Sequence, residues 1–436
     1  MRLSIKSFLA VVFLWAGIGS GAAWATPVQS WTTTQGARVY FIETHALPIV
    51  DVQVLFRAGA AFDPADKPGL ASLTASLMDQ GAGARNEQQI AETLADIGAS
   101  LSAGAGMDSA TVSLRTLSDP ERRNVAFGLM ADVMARPRFD KAIFNRDRAR
   151  SVAALKDALT KPQVLAQRAY MSSIYANHPY GRMSTPASLE GLSHGDVTDF
   201  WRRHITPGRA SVAIVGDLTR AEAEALAQQL LADLPPDQTS VSKTLPTPPA
   251  TKAAVVRVDH PASQSHLLVG MPSVARDDPA QIALQVGNYT LGGGGFVSLL
   301  TKEVREKRGY AYSVYSYFQP QLVAGPFTIG LETKRAQADD ALKVVNEVVD
   351  GFLSRGPTAA QLKAAQDNIA GGFALRIDSN SKLAANLGVM AFYGLPTDWL
   401  EQYPARVRAL TPEGVREAFR KHVVPERLIT IRVATD

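Results

Sequence analysis

The chain contains no cysteine in its 436 residues. That one absence excludes disulfide scaffolds, thiolate zinc sites and cysteine nucleophiles together. Histidine is also scarce. The seven are His45, His178, His194, His204, His260, His266 and His422. No two of them stand at the i, i+3 or i+4 spacing that sets two imidazoles on one helical face. Beyond the first 25 residues no apolar run reaches transmembrane length. Charge of either sign is nearly balanced, with a formal excess of +4. Loss of Arg2 and Lys6 with a leader would lower this to about +2, too little to argue for nucleic acid as a partner.

What is present describes an ordinary globular protein, 46% hydrophobic and 20% charged, long enough for two or more domains. Residues 1–25 have the form of a secretory leader. Arg2 and Lys6 make a basic end, Phe8 to Ile18 an apolar centre, and Ala23-Trp24-Ala25 a small-x-small cleavage site. The expected location is the periplasm, or the exterior if the source has a single membrane, with no membrane span left after cleavage.

The chain also repeats itself. Leu192–Asp217, LSHGDVTDFWRRHITPGRASVAIVGD, aligns with LTPEGVREAFRKHVVPERLITIRVAT from Leu410 at a constant offset of 218. Leu192/Leu410, Val197/Val415, Arg202/Arg420, His204/His422, Pro207/Pro425, Arg209/Arg427 and Val215/Val433 are identical pairs. Each copy reads as an amphipathic helix, a Pro-containing turn and a β-branched strand. A repeat of this size is a duplicated domain. The Pro/Ser/Thr-rich stretch LPPDQTSVSKTLPTPPAT reads as a linker. The expected division is a domain at 26–235, a linker at 236–251 and a second domain at 252–436.

Both periodicities occur in each half. Strands are predicted at Ile49–Phe56 and Asp108–Leu117 and helices at Ala71–Met78 and Glu87–Ile97. In the second half, a strand is predicted at Pro326–Leu331 and helices at Pro279–Leu291 and Ala359–Phe373. The fold class is α+β, with helices on one face of a mainly antiparallel sheet.

The segment LGGGGFVSLLTKEVREKRGYAYSVYSYF, residues 291–318, carries the chemistry. An arginine and a tyrosine held side by side can stabilise a developing oxyanion. Arg305 and Arg308 are the candidate arginines and Tyr310 and Tyr312 follow them, although Arg305-Glu306-Lys307-Arg308 also reads as a solvated helix end. Tyr315 and Tyr317 read as alternating strand residues. The run Gly292–Gly295 is no phosphate loop, because no Lys-Ser/Thr follows in the required place. It reads equally as a mobile loop or as a tight connection between helices. His204 and His422, at helix C-termini where a cation is favoured, read as capping and packing residues. His178 in Asn-His-Pro-Tyr-Gly reads as a turn residue.

Taken in order, PGLASLTASLMDQGAG, NHPYGR, the FW-RRH-TPGRASVAIVGD element and VREKRGYAYSVYS resemble the pitrilysin/insulinase metallopeptidases. The likeness is to their processing-peptidase branch and spans nearly the whole mature chain. It implies two duplicated domains forming a clam-like chamber. It also implies a His-x-x-Glu-His zinc motif on the helix that begins Gly-Leu-Ala, where this chain has Ser72, Ala75 and Ser76. The distal glutamate ligand aligns near Ser151–Leu155, where Ala153 or Ala154 takes its place. No catalytic metal is expected in this chain. The resemblance assigns Arg305 and Tyr312 to an active site reached from the second domain. It makes Gly292, Gly293, Gly294 and Gly295 a peptide-admitting loop, and Ser102, Ala103 and Gly104 an edge strand that pairs with substrate.

The implied role is that of a non-catalytic subunit. Its partner would be a homologous peptidase subunit carrying zinc, and its ligand an extended peptide. The alternatives are a structural or assembly subunit and, last, a self-sufficient peptidase with a relocated site.

Overall fold

Runs of β-branched residues with buried faces build two sheets. The computed structural model describes residues 27–238 and 241–434, so the leader expected at residues 1–25 lies outside the described residues. The first sheet takes β1 (Gln29–Thr32), β2 (Arg38–Glu43), β3 (Ile49–Phe56), β4 (Ser100–Ala105), β5 (Ala110–Leu117) and β6 (Ala210–Gly216). Their order across the sheet is β1-β2-β6-β3-β5-β4. The second takes β7 (Ala254–Val258), β8 (Gln264–Val274), β9 (Ala311–Phe318), β10 (Gly325–Lys334) and β11 (Ile429–Val433), in the order β9-β10-β8-β11-β7. Pairing is antiparallel except β2 with β6 and β11 with β7.

The duplication appears directly in these exceptions. Helix α6 (His194–His204), the turn Pro207–Arg209 and β6 recur as α13 (Pro412–His422), the turn Pro425–Arg427 and β11. Each copy ends in a strand that runs parallel to the first long strand of its own half. Ser193 and Thr411 cap the two helices through their side-chain oxygens.

The remaining labelled helices of the first half are α1 (Leu70–Met78), α2 (Glu87–Ile97), α3 (Pro120–Ala135), α4 (Lys141–Ala158), α5 (Pro162–Ile174) and α7 (Arg220–Ala232). Those of the second half are α8 (Gln281–Asn288), α9 (Ala338–Arg355), α10 (Ala359–Gly371), α11 (Asn380–Tyr393) and α12 (Trp399–Arg408). Most cover one face of their own sheet, as expected for this fold class. The other face of each sheet is covered by a helix from the opposite half.

Helix α5 lies on β8 and β11, in a cluster of Ile174, Leu268, Ile431 and Val433. Its Tyr170 hydroxyl donates to the Phe327 carbonyl at 2.6 Å, and that of Tyr175 to the Ala324 carbonyl at 2.9 Å. Gly270 admits this contact, since a Cβ there would stand 2.2 Å from the Tyr170 oxygen. Reciprocally, α11 lies on β6 and β3. Carbonyls at its end accept from Arg38 at 2.8 Å and from Tyr40 at 2.6 Å, through Ala391 and Leu395. The exchange joins both halves into one packed unit. The segment after Leu234 is tied down as well, because Arg209 donates to the Ser242 carbonyl at 2.9 Å and Arg57 to that of Lys243 at 3.1 Å.

Two of the histidines, His178 and His204, serve packing. His178 accepts the Tyr180 amide on Nδ1 at 3.1 Å and faces the Pro246 carbonyl through Nε2 at 2.9 Å, which makes it a neutral turn residue. His204 is buried and stacks on Phe200 with ring centroids 4.3 Å apart. Burial first, then the charges of Arg209 and Arg203, pulls its pKa from 6.5 down to about 3. The unfolded chain therefore binds a proton that the folded chain refuses. The resulting loss of stability begins as pH falls below 6.5 and continues toward 3. This group alone should contribute on the order of 1.4 kcal/mol per pH unit across that window. His204→Phe, which keeps the ring stack, should flatten the slope in urea denaturation measured as a function of pH.

Candidate functional site

Helix α1 is where the resemblance places a metal motif. Its start is fixed by Asp63, whose carboxylate oxygens accept the Gly69 and Ala71 amides, each at 2.7 Å. Burial nevertheless raises Asp63 to about 7, against the pull of those amides and the Arg182 charge. Ser72 and Ser76 sit one turn apart on the exposed face, while Ala75 is 2% exposed and belongs to the first core. The Ser76 hydroxyl donates back to the Leu73 carbonyl at 2.9 Å. On α4, which packs against α1, Ala153 and Ala154 are exposed methyl groups.

Two hydroxyls and three methyl groups offer neither the imidazoles nor the carboxylates that zinc prefers. Among the described residues no group of three or more His, Asp or Glu is arranged to hold a metal ion. The residues at these positions do not fit zinc.

The second half is built differently. Helix α8 runs into a wide turn at Tyr289–Gly293, so regular helix stops at Asn288, short of the predicted Leu291. Gly292 is buried against β9, and a Cβ there would stand 2.3 Å from the Ser316 hydroxyl and 2.7 Å from Leu300. Gly295 takes a left-handed φ of 60°. The four glycines thus form a tight connection between helical segments, closed by Ser298, whose hydroxyl donates to the Gly295 carbonyl at 2.7 Å. Gly292→Ala should push β9 outward and cost about 1–3 kcal/mol in chemical denaturation, as overpacking does.

The connection leads into a second wide turn at Thr301–Glu306, which carries Arg305. The Arg305 guanidinium lies between two rings, 4.7 Å from the Phe296 centroid and 4.8 Å from that of Tyr312. Tyr312 is 83% exposed at the start of β9, and Phe296 is 64% exposed. Strand β9 is an edge of its sheet and bulges between Ala311 and Val314, so Tyr312 stands clear of the ladder. Neither the guanidinium nor the Tyr312 hydroxyl hydrogen-bonds to any described residue.

Arg308 is committed elsewhere, to the Glu303 carboxylate at 2.8 Å and carbonyl at 2.9 Å. Geometry therefore pairs Tyr312 with Arg305. The sequence reasoning overlooked Phe296, whose signal was an aromatic residue directly after the glycine run. Tyr315 and Tyr317 stack on each other with centroids 6.0 Å apart, as alternating strand residues do.

Strand β4, containing Ser102, Ala103 and Gly104, is the other edge of interest. Antiparallel alternation turns the backbone groups of Ser102 and Gly104 toward β5, leaving Ala103 to face outward. The Ala103 amide is already occupied, donating to the Asp79 carboxylate at the end of α1 at 3.2 Å. Burial raises the Asp79 pKa. At the centre of this edge the chain's own carboxylate occupies one outward-facing amide.

Comparison with known proteins bears on the same features. Residues 38–185 match the profile described as insulinase, peptidase family M16, and residues 191–369 match the peptidase M16 inactive domain. A crystal structure described as a peptidase M16 inactive domain, from Pseudomonas fluorescens, superposes with a TM-score of 0.89 at 34% identity. It aligns over 94% of this chain and 98% of that one. An uncharacterized zinc protease of Mycobacterium leprae is 26% identical over 379 residues, covering 84% of this chain and 83% of its own. The periplasmic protease PqqL of Escherichia coli superposes with a TM-score of 0.82 at 18% identity. That alignment covers 94% of this chain but 46% of PqqL.

Proposed function

This chain belongs to the insulinase (M16) family of peptidases, and from that premise we propose that it is the zinc-free subunit of a heteromeric periplasmic endopeptidase. It is an M16 protein of the inactive type, with Ser72, Ala75 and Ser76 where the zinc motif would stand. The observation that carries the proposal is the Arg305–Tyr312 pair. It joins an exposed tyrosine to a half-buried guanidinium that lies 4.8 Å from its ring centroid, neither hydrogen-bonded within the described chain, on a protein whose helix α1 carries no zinc ligands.

In this reading the partner is a homologous M16 chain whose His-x-x-Glu-His residues would hold zinc, which would supply an activated water. Arg305 and Tyr312 donate hydrogen bonds to the carbonyl oxygen of an extended peptide as negative charge develops there. Phe296 and Tyr312 hold the guanidinium in place by cation–π contact, so little reorganisation is needed. PqqL supports the arrangement by its size, since this chain overlies 46% of it and a second such chain would complete an assembly of that length. The leader-like pattern of residues 1–25 and the description of PqqL as a periplasmic protease support export.

Affinity purification of the mature chain from its own cells tests the assignment. The expected result is co-recovery of an M16 chain with an intact His-x-x-Glu-His motif, and one zinc per pair. One tightly held zinc per isolated copy of this chain would contradict it.

A further inference from the structure

A cavity of about 430 Å³ lies in the second half, between the end of β9 and helices α8, α11 and α12. It does not include Arg305 or Tyr312, and the function proposed above makes no use of it. Its volume falls in the range that encloses small ligands.

The walls are aromatic. Trp399 packs on Tyr403 with centroids 5.0 Å apart, and Phe373 packs on the same tyrosine at 4.9 Å. Several of the polar groups that converge on it are donors, beside amide oxygens such as that of Asn386. Gln281 is only 9% exposed, yet its side chain hydrogen-bonds to no described residue. The Gln285 carbonyl oxygen accepts from the Tyr403 hydroxyl at 3.0 Å, which leaves the Gln285 amide nitrogen as a donor. Arg276 has a buried Nε without a hydrogen-bond partner. Arg376 stands exposed on the rim, close enough that its charge opposes burial in setting the Tyr403 pKa.

No aspartate or glutamate lines the cavity. The nearest negative charge acting on Arg276 is Asp108, behind Tyr393, and Arg57 shares that one carboxylate. Two guanidinium groups around one carboxylate leave a positive charge in excess, and Arg376 adds another. Of the lining groups, the Arg276 Nε is buried without a partner, and such an atom is costly. A negatively charged ligand would offset the excess positive charge.

We infer that this cavity binds a carboxylate carried on an aromatic or bulky apolar group. The rings would enclose the apolar body, while Arg276, Arg376 and the two amides would take the carboxylate oxygens. A peptide C-terminus and a free aromatic acid share this chemistry.

Isothermal titration calorimetry on the full mature chain tests it with N-acetyl-phenylalanine and the corresponding amide. The acid should bind at least about tenfold more tightly than the amide, the factor expected for charge-assisted hydrogen bonds. Arg376→Gln, an exposed change that leaves the core intact, should remove most of that preference and spare the amide. The tripeptide Ala-Ala-Phe separates the two sources. Tighter binding of the tripeptide than of the acetylated acid identifies a peptide terminus, and the reverse identifies a free acid. Equal binding of acid and amide, no binding of either, or an unchanged preference in folded Arg376→Gln would overturn the inference. None of these results depends on zinc or on a partner chain, so the two proposals fail separately.

Discussion

Arg305→Ala, introduced into the complex of this chain with its zinc-bearing partner, is expected to lower kcat by about a hundredfold or more. That is the usual consequence of removing one donor from a developing oxyanion. Tyr312→Phe should lower kcat by a similar factor, and the double variant should lose less than the product, because the two donors serve one oxygen. Neither change should alter folding or assembly. Tyr312 is 83% exposed, and the Arg305 side chain makes no hydrogen bond within the described chain. Steady-state kinetics alongside size-exclusion chromatography separates the outcomes. A complex that assembles normally and turns over peptide at the wild-type rate in both variants would assign this chain a purely structural role. Arg308→Ala is the internal control, since that guanidinium is bound to Glu303 and should leave kcat unchanged.

Asp108→Ala is expected to produce the largest loss of stability. Its carboxylate is 5% exposed and accepts from three segments that are remote in sequence. The Tyr180 hydroxyl donates at 2.6 Å, and the Tyr393 hydroxyl and the Leu322 amide each donate at 2.9 Å. Tyr180 comes from the first half, Tyr393 from the end of the exchanged helix α11, and Leu322 from the turn between β9 and β10. Burial first, and then the Asp108 charge, pushes both tyrosine pKa values upward, so both remain protonated donors. Alanine would strand one buried and two half-buried donors and leave Arg57 and Arg276 without their shared counter-charge. A cost of about 3–5 kcal/mol follows, as for other buried charges stripped of a partner. Asp108→Asn keeps the shape and one acceptor and should cost less. Urea denaturation measures both, and a loss under about 1 kcal/mol for the alanine variant would show that Asp108 does not lock the halves together.

These two sites differ in how far the sequence disclosed them. The repeat at Leu192 and Leu410 was legible because one helix-turn-strand unit is a local pattern, and both copies fold as the same unit. Ile49–Phe56 and Glu87–Ile97 were predicted to the residue; the first is a β-branched run, and in the structure Asn86 caps the second against Gln89. Arg305 and Tyr312 were legible as a pair, whereas the choice of Arg305 over Arg308 needed the positions of Glu303 and Phe296.

The exchange of α5 and α11 was not legible. An amphipathic helix announces that one face is buried but not which sheet buries it. Likewise Asp108, Tyr180 and Tyr393 are scattered along the chain, and no periodicity links them. The predicted end of helix α8 at Leu291 falls within the wider helical turn, Tyr289–Gly293, that continues it.

The most direct test of the central claim is reconstitution of peptide hydrolysis from purified chains. The mature chain and an M16 relative with an intact zinc motif are assayed apart and together, with zinc measured in each. The account predicts that this chain alone is inactive and free of stoichiometric zinc, and that the mixture hydrolyses peptide only when Arg305 and Tyr312 are present. Full activity of the zinc-bearing chain by itself, unchanged on addition of this one, would contradict it.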